Sequence, residues 1–184
     1  MGRRIAIVGA GAVGGYTGAH MVQAGEDVTF IDPWPAHVEH MRKHGLRVTH
    51  AMKEPEFTVP VRALHVTDAQ QLAKEKPIDI AFVCMKSYDT AWATMLIRQY
   101  LAPDAYVVSL QNCMNEETVA GIVGWGKTLG CIASSITVKP ARARACSSRC
   151  RQARRGAHCF SRRRSAWPHH STRGGSAPPG RLRR

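Results

Sequence analysis

Apolar residues along positions 1–138 fall into short dense runs, and these alternate with stretches whose apolar positions recur at helical spacing. "RIAIV" (Arg4–Val8) is a β-branched run ending in glycines, which predicts a strand. Helical spacing follows over 12–24 and is stopped by Gly25. "DVTFI" (Asp27–Ile31) predicts the next strand, closed by Asp32-Pro33. "AHVEHMRKHG" then reads as a helix with His44-Gly45 as its stop. "LRVTH" and "FTVPV" are short strand candidates. "TDAQQLAKEK" opens with a capping residue and closes with lysines, as helices tend to.

The second half repeats the alternation. "IDIAFVC" (Ile78–Cys84) is a strand of the fully buried type, and "SYDTAWATMLIRQYL" has helical spacing. "AYVVSL" predicts a strand, "NEETVAGIVG" a helix with acids in its first turn, and "TLGCIASSITV" a last strand. Near-continuous apolar strands separated by helices predict an α/β fold, a Rossmann-type doubly wound parallel sheet covered on both faces.

Candidate chemistry sits where the runs end. Gly9-Ala10-Gly11-Ala12-Val13-Gly14 is G-x-G-x-x-G directly between the first strand and the first helix. In that context Gly9 makes the tight turn, Gly11 admits a pyrophosphate to the backbone, and Gly14 lets helix and strand pack closely. The N–H groups of Ala12 to Gly14 and the positive end of the helix dipole would hold the phosphates. The competing reading is a purely structural glycine turn.

Asp32 closes the second strand, where this fold meets the adenosine ribose. A carboxylate there accepts from the ribose hydroxyls and repels a 2′-phosphate, which favours NAD over NADP; the alternative is a turn-forming Asp-Pro. Lys86 in "VCMKSYDT" and Asn112 in "SLQNCMNEE" follow two further strands, at carboxyl ends where open α/β sheets bind ligands. Lys86 suits an anion or cofactor contact. Asn112 can donate and accept at once, which suits bridging a nicotinamide and a substrate carbonyl. A solvated or capping role is the alternative for each.

"IAIVGAGAVGGY", "MKSYDT" and "LQNCMNEE" in combination resemble the N-terminal domain of ketopantoate reductases (2-dehydropantoate 2-reductases), over about residues 1–138. The resemblance implies a two-domain enzyme that reduces 2-dehydropantoate to pantoate with NADPH, on the route to pantothenate and coenzyme A. It implies that Lys86 contacts the cofactor and that Asn112 touches cofactor and substrate. It also places the general acid, a lysine, on a helical C-terminal domain. Two positions depart from the pattern. Cys113 replaces the glycine usual after the asparagine, and Asp32 stands where NADPH-using members tend to carry a positive residue. NADP and NAD both stay open as cofactors, and so does a related 2-keto acid as substrate.

Charge changes the picture only for the tail. The chain carries 26 basic and 13 acidic residues for a net charge of +13. Lys139 and thirteen arginines lie in 139–184 with no acid, leaving 12 basic residues against all 13 acids in 1–138. The tail has no Val, Ile or Met and no helical periodicity, so a disordered basic extension is expected there, beginning after Val138. Nothing in it resembles the family's helical domain, and on this reading the chain lacks its general-acid lysine, is truncated and is inactive.

Three origins for the tail compete: an arm contacting nucleic acid through clusters such as Arg162-Arg163-Arg164, a solvated extension, and an out-of-frame stretch of a GC-rich gene. A one-base shift turns Trp167–Pro168 into Gly and His169–His170 into Ile or Thr, which favours the third. Nucleic-acid binding is then expected only as non-specific contact. A dinucleotide-binding protein with a nucleic-acid-binding tail is the alternative function.

The 184 residues suffice for one core of ordinary size. No run reaches the roughly 18 apolar residues of a membrane span. The glycine-rich start argues against a secretory signal and Ala6 against myristoylation, so a cytoplasmic protein is expected. Cys84, Cys113 and Cys131 read as free thiols. Cys146, Cys150, His158 and Cys159 match no familiar zinc spacing, and no metal site is expected.

Overall fold

A computed structural model of the chain describes residues 2–49 and 56–132. Six parallel strands form one sheet in the order β5-β2-β1-β6-β7-β8. These are β1 (Arg4–Val8), β2 (Asp27–Asp32), β5 (Arg62–His65), β6 (Ile78–Val83), β7 (Leu101–Ser109) and β8 (Thr128–Gly130). This is the 3-2-1-4-5-6 arrangement of the doubly wound fold, with its topological switch point between β1 and β6. The predicted fold class holds. All five residues of β1 are buried, as its central place between β2 and β6 requires.

Successive strand residues face opposite ways, which splits the core in two. Ile5, Ile7, Val28 and Phe30 pack beneath α1 (Ala12–Gln23) and α2 (Pro35–His44), joined by Ala19, Val38 and Met41. Ala6, Val8, Ile31, Val83 and Val107 pack on the other face with Ala93 and Ile97 of α3 (Thr90–Arg98) and Val119 of α4 (Glu116–Val123). A small side-ribbon, β3 (Leu46–Val48) antiparallel to β4 (Phe57–Val59), extends the first layer. Helix α1 lies close to the sheet because Gly14, Gly15, Gly18 and Ala19 form its buried side. A Cβ on Gly18 would come within 2.5 Å of both Ile7 Cδ1 and the Phe30 ring.

Several predicted elements differ in detail. Strand β5 has no counterpart in the sequence-based reading, and it forms the sheet edge beside β2. The helix expected in "TDAQQLAKEK" is a 3₁₀ stretch over Val66–Lys74. Its inward positions explain that: Val66 is partly buried and Ala69 and Leu72 fully so, a repeat of three rather than 3.6. The helix expected through Leu101 begins with a 3₁₀ turn at Ser87–Asp89 and ends at Arg98, and Leu101 already pairs with Ile78 as the start of β7. Of the long last strand, Thr128–Gly130 is present as β8, while Cys131 and Ile132 are not in a strand. The remainder of that run, the boundary at Val138 and the tail 139–184 lie outside the described residues.

A charged cluster closes the amino end of the sheet. The buried Arg4 guanidinium pairs with Glu75 and donates to the Lys76 carbonyl, and its backbone N–H donates to Asp79 Oδ2 at 2.6 Å. Glu75 also pairs with Arg62 at 2.5 Å. Its two guanidinium partners hold the Glu75 carboxyl down at about 2, the hydrogen bond from Arg62 foremost. Among the described residues no helix is long and apolar enough to cross a membrane.

Candidate functional site

All the candidate residues gather at the carboxyl edge of the sheet, opposite that cluster. Strand β1 runs out at Val8, whose carbonyl accepts from Cys84 N–H at 2.9 Å, and Gly9 N–H donates to Ile31 O at 2.8 Å. Gly9 then turns with φ +101°, a conformation L side chains rarely adopt, and a Cβ there would lie 2.8 Å from Met85 Sδ. A Cβ on Gly14 would lie 2.1 Å from Gly9 O, so the third glycine is needed for close packing. Gly11 behaves differently: it is exposed, and a Cβ on it would meet nothing within 4 Å. The space beside it is the open cradle that a pyrophosphate needs and that a side chain would fill.

Helix α1 starts at Ala12 with Val13 in its first turn; it carries no side-chain cap and no acid there. Its N-terminal amides and dipole therefore face outward without a protein carboxylate competing for them. These features fit the phosphates of a dinucleotide.

The peptide of Ala10 is held on both sides. Its N–H donates to Asp32 Oδ2 at 2.9 Å, and its carbonyl accepts from His37 Nε2 at 2.9 Å. Since the carbonyl can only accept, His37 presents its Nε2 proton. Asp32 Oδ1 accepts from Trp34 N–H at 2.9 Å, and the side chain is buried. The carboxylate is thus a loop anchor, at the position where the sequence led us to expect a ribose contact. Each oxygen keeps acceptor capacity beyond its one amide. His37 was not legible as a site residue; its only signal is its place in the first turn of the helix after Asp32.

Lys86 and Asn112 are exposed on adjacent loops, after β6 and β7. The loops are tied together. Ser87 Oγ donates to Asn112 O at 3.0 Å, and Asn115 Nδ2 donates to the same carbonyl at 2.8 Å. Gln111 Nε2 donates to Met85 O at 2.8 Å and to Thr90 Oγ1 at 2.9 Å. Cys113, beside Asn112, has φ +71° and is the one non-glycine residue with positive φ among the described residues. The backbone is glycine-like at the position where the resemblance led us to expect glycine. No hydrogen bond joins Asp32 to Lys86 or Asn112 among the described residues; the two ends of the site meet through Met85, which lies against Gly9.

The Cys84 thiol is pushed up to about 12, by burial and secondarily by Cys131, so it stays protonated and inert at neutral pH. A shallow depression along the C-terminal half of α1, lined by Tyr16, Thr17, His20 and Met21, includes none of the candidate residues.

Comparison with known proteins points the same way. The family model described as "Ketopantoate reductase PanE/ApbA" matches residues 5–146. A 2-dehydropantoate 2-reductase of Nostoc sp. is 33% identical over 122 residues, 66% of this chain and 36% of its own. A PanE/ApbA family ketopantoate reductase structure from Ralstonia eutropha superposes with TM-score 0.58 at 32% identity, over 69% of this chain and 39% of that one. A ternary structure of D-mandelate dehydrogenase with NADH and anilino(oxo)acetate superposes with TM-score 0.60 at 25% identity, over 68% and 39%. The chain spans less than half the length of the curated relatives it matches.

Proposed function

The chain belongs to the ketopantoate reductase PanE/ApbA family, and from that premise we propose that its sheet edge binds a nicotinamide dinucleotide for reduction of a 2-keto acid to the 2-hydroxy acid. The observation that carries this reading is the anchored glycine-rich loop, with Gly11 open to the outside and Ala10 tied to Asp32. Gly9 and Gly14 shape the loop, Gly11 leaves room for the pyrophosphate, and the amides of Ala12 to Gly14 would hold the phosphates. The bound dinucleotide would supply a hydride to the keto carbon.

The chain's own residues do the rest. Lys86 offers a cation and Asn112 a paired donor and acceptor on the loops that flank the switch point. As substrate we propose 2-dehydropantoate, the compound named for the curated relatives, or a related 2-keto acid. As cofactor we propose NADH in preference to NADPH. The support is the Asp32 carboxylate, whose negative charge disfavours a 2′-phosphate, and a structural neighbour described with NADH.

Fluorescence titration of NADH and NADPH into the purified chain tests the binding. Tighter NADH binding is expected, and failure to bind either would overturn the reading. Ketopantoate-dependent oxidation of either dinucleotide tests the reaction itself.

A further inference from the structure

We propose that Gln111 is a positioning residue whose carboxamide clasps the loop of Lys86 to the loop of Asn112 and so sets the nicotinamide end of the site. This rests on the dinucleotide-binding reading above. The backbone ladder between β6 and β7 stops at Leu110 N–H donating to Val83 O, 3.0 Å. Beyond it the two chains diverge into loops with no further backbone rung joining them. The Gln111 side chain supplies the next link, donating from Nε2 to Met85 O at 2.8 Å. That contact ties the residue before Asn112 to the residue before Lys86.

The clasp is ordered by the chemistry of its partners. Thr90 Oγ1 has one proton, and it lies 2.8 Å from Ser87 O, a pure acceptor. Donating there leaves its lone pairs for the second Nε2 proton of Gln111 at 2.9 Å. Ser109 Oγ completes the set by donating to Gln111 Oε1 at 3.3 Å. Both amide protons are therefore used within the protein, so this side chain has none left to donate to a ligand. A second strap, from Ser87 Oγ to Asn112 O at 3.0 Å, runs parallel to it. Because Met85 also abuts Gly9, the clasp sets the spacing between the Lys86–Asn112 pair and the phosphate loop.

The test compares two ligands on the full chain. One is the reduced dinucleotide that the wild type binds more tightly. The other is the matching fragment without nicotinamide, ADP-ribose or its 2′-phosphate. Gln111→Leu is expected to weaken the dinucleotide about tenfold and the fragment less than twofold, as one lost part-buried hydrogen-bonding group predicts. Gln111→Glu keeps shape and acceptors but cannot donate to Met85 O at neutral pH, and is expected to match the Leu variant. Ser87→Ala, at an exposed position, is expected to show the same selectivity at about threefold.

Equal weakening of both ligands would mean a merely structural role and overturn the proposal, as would wild-type binding in Gln111→Glu. Loss of dinucleotide affinity in Asn112→Ala with none in Gln111→Leu or Ser87→Ala would overturn the clasp alone. Wild-type affinity in both Asn112→Ala and Lys86→Ala would overturn the underlying site.

Discussion

The carboxylate of Asp32, at the end of β2, accepts the backbone N–H of Ala10, in the loop after β1, at 2.9 Å. A residue read from the sequence as a ribose ligand thus holds the glycine-rich loop in shape. Asp32→Ala is therefore expected to weaken both dinucleotides about tenfold, the worth of one charge-assisted hydrogen bond, while shifting the remaining preference toward NADP. Titration of both cofactors, alongside a thermal melt, measures it. Unchanged affinity for both would remove Asp32 from the site.

Cys113 adopts φ +71° in a loop that must place Asn112. A side chain in this left-handed region costs about 1 kcal/mol relative to glycine, part of it returned by the greater freedom of glycine in the unfolded chain. Cys113→Gly is expected to raise the urea midpoint modestly, by the equivalent of about 0.5–1 kcal/mol, without loss of dinucleotide affinity. A lower midpoint would show that the thiol contributes packing absent from this picture.

The Arg4–Glu75–Arg62 cluster makes a pH-dependent contribution to stability. The carboxyl of Glu75 is lowered from 4.5 to about 2 by its two arginines. A depressed carboxyl stabilises the fold fully above its unfolded value, and that share is lost as pH falls from about 4.5 toward 2. Glu75→Gln leaves the buried Arg4 guanidinium short of its charged partner and is expected to cost about 2 kcal/mol at neutral pH. Melting curves between neutral and acidic pH should then show a shallower acid limb in the variant; an identical slope would exclude Glu75 as a source of the dependence.

Gly18 faces Ile7 and Phe30 with no room for a methyl group, since an added carbon would lie 2.5 Å from both. In an exposed helix the change to alanine stabilises. Here the overpacking is expected to outweigh it, for a net loss of about 1–2 kcal/mol in Gly18→Ala, read by chemical denaturation. Stabilisation would mean that α1 lifts off the sheet at little cost.

Much of the fold was legible because a buried parallel strand leaves a run such as "RIAIV" or "IDIAFV", and both became strands; the last predicted run did so over Thr128–Gly130, and most of it lies outside the described residues. The edge strand β5 escaped because "RALH" offers only Ala63 and Leu64 to the core, too little to stand out from a loop. The 3₁₀ stretch over Val66–Lys74 escaped because a cap and terminal lysines mark a helix without stating its period. Glycines 9, 11 and 14 could be assigned separate tasks since each answers a local steric demand. The contacts of His37 and Gln111 could not be read in advance. They join residues 27 and 26 positions apart, and only the register of neighbouring strands brings them together.

The double hold on Ala10 has a consequence for how such a chain can change over generations. Replacing Asp32 with a positive residue, the change that the proposed cofactor preference would call for in an NADPH site, would remove the acceptor for the Ala10 amide and leave only the bond from His37. The order of substitutions then matters. A lineage that first gains another acceptor for that amide keeps the loop held on both sides when Asp32 changes, whereas one that changes Asp32 first passes through an intermediate whose loop is held by His37 alone.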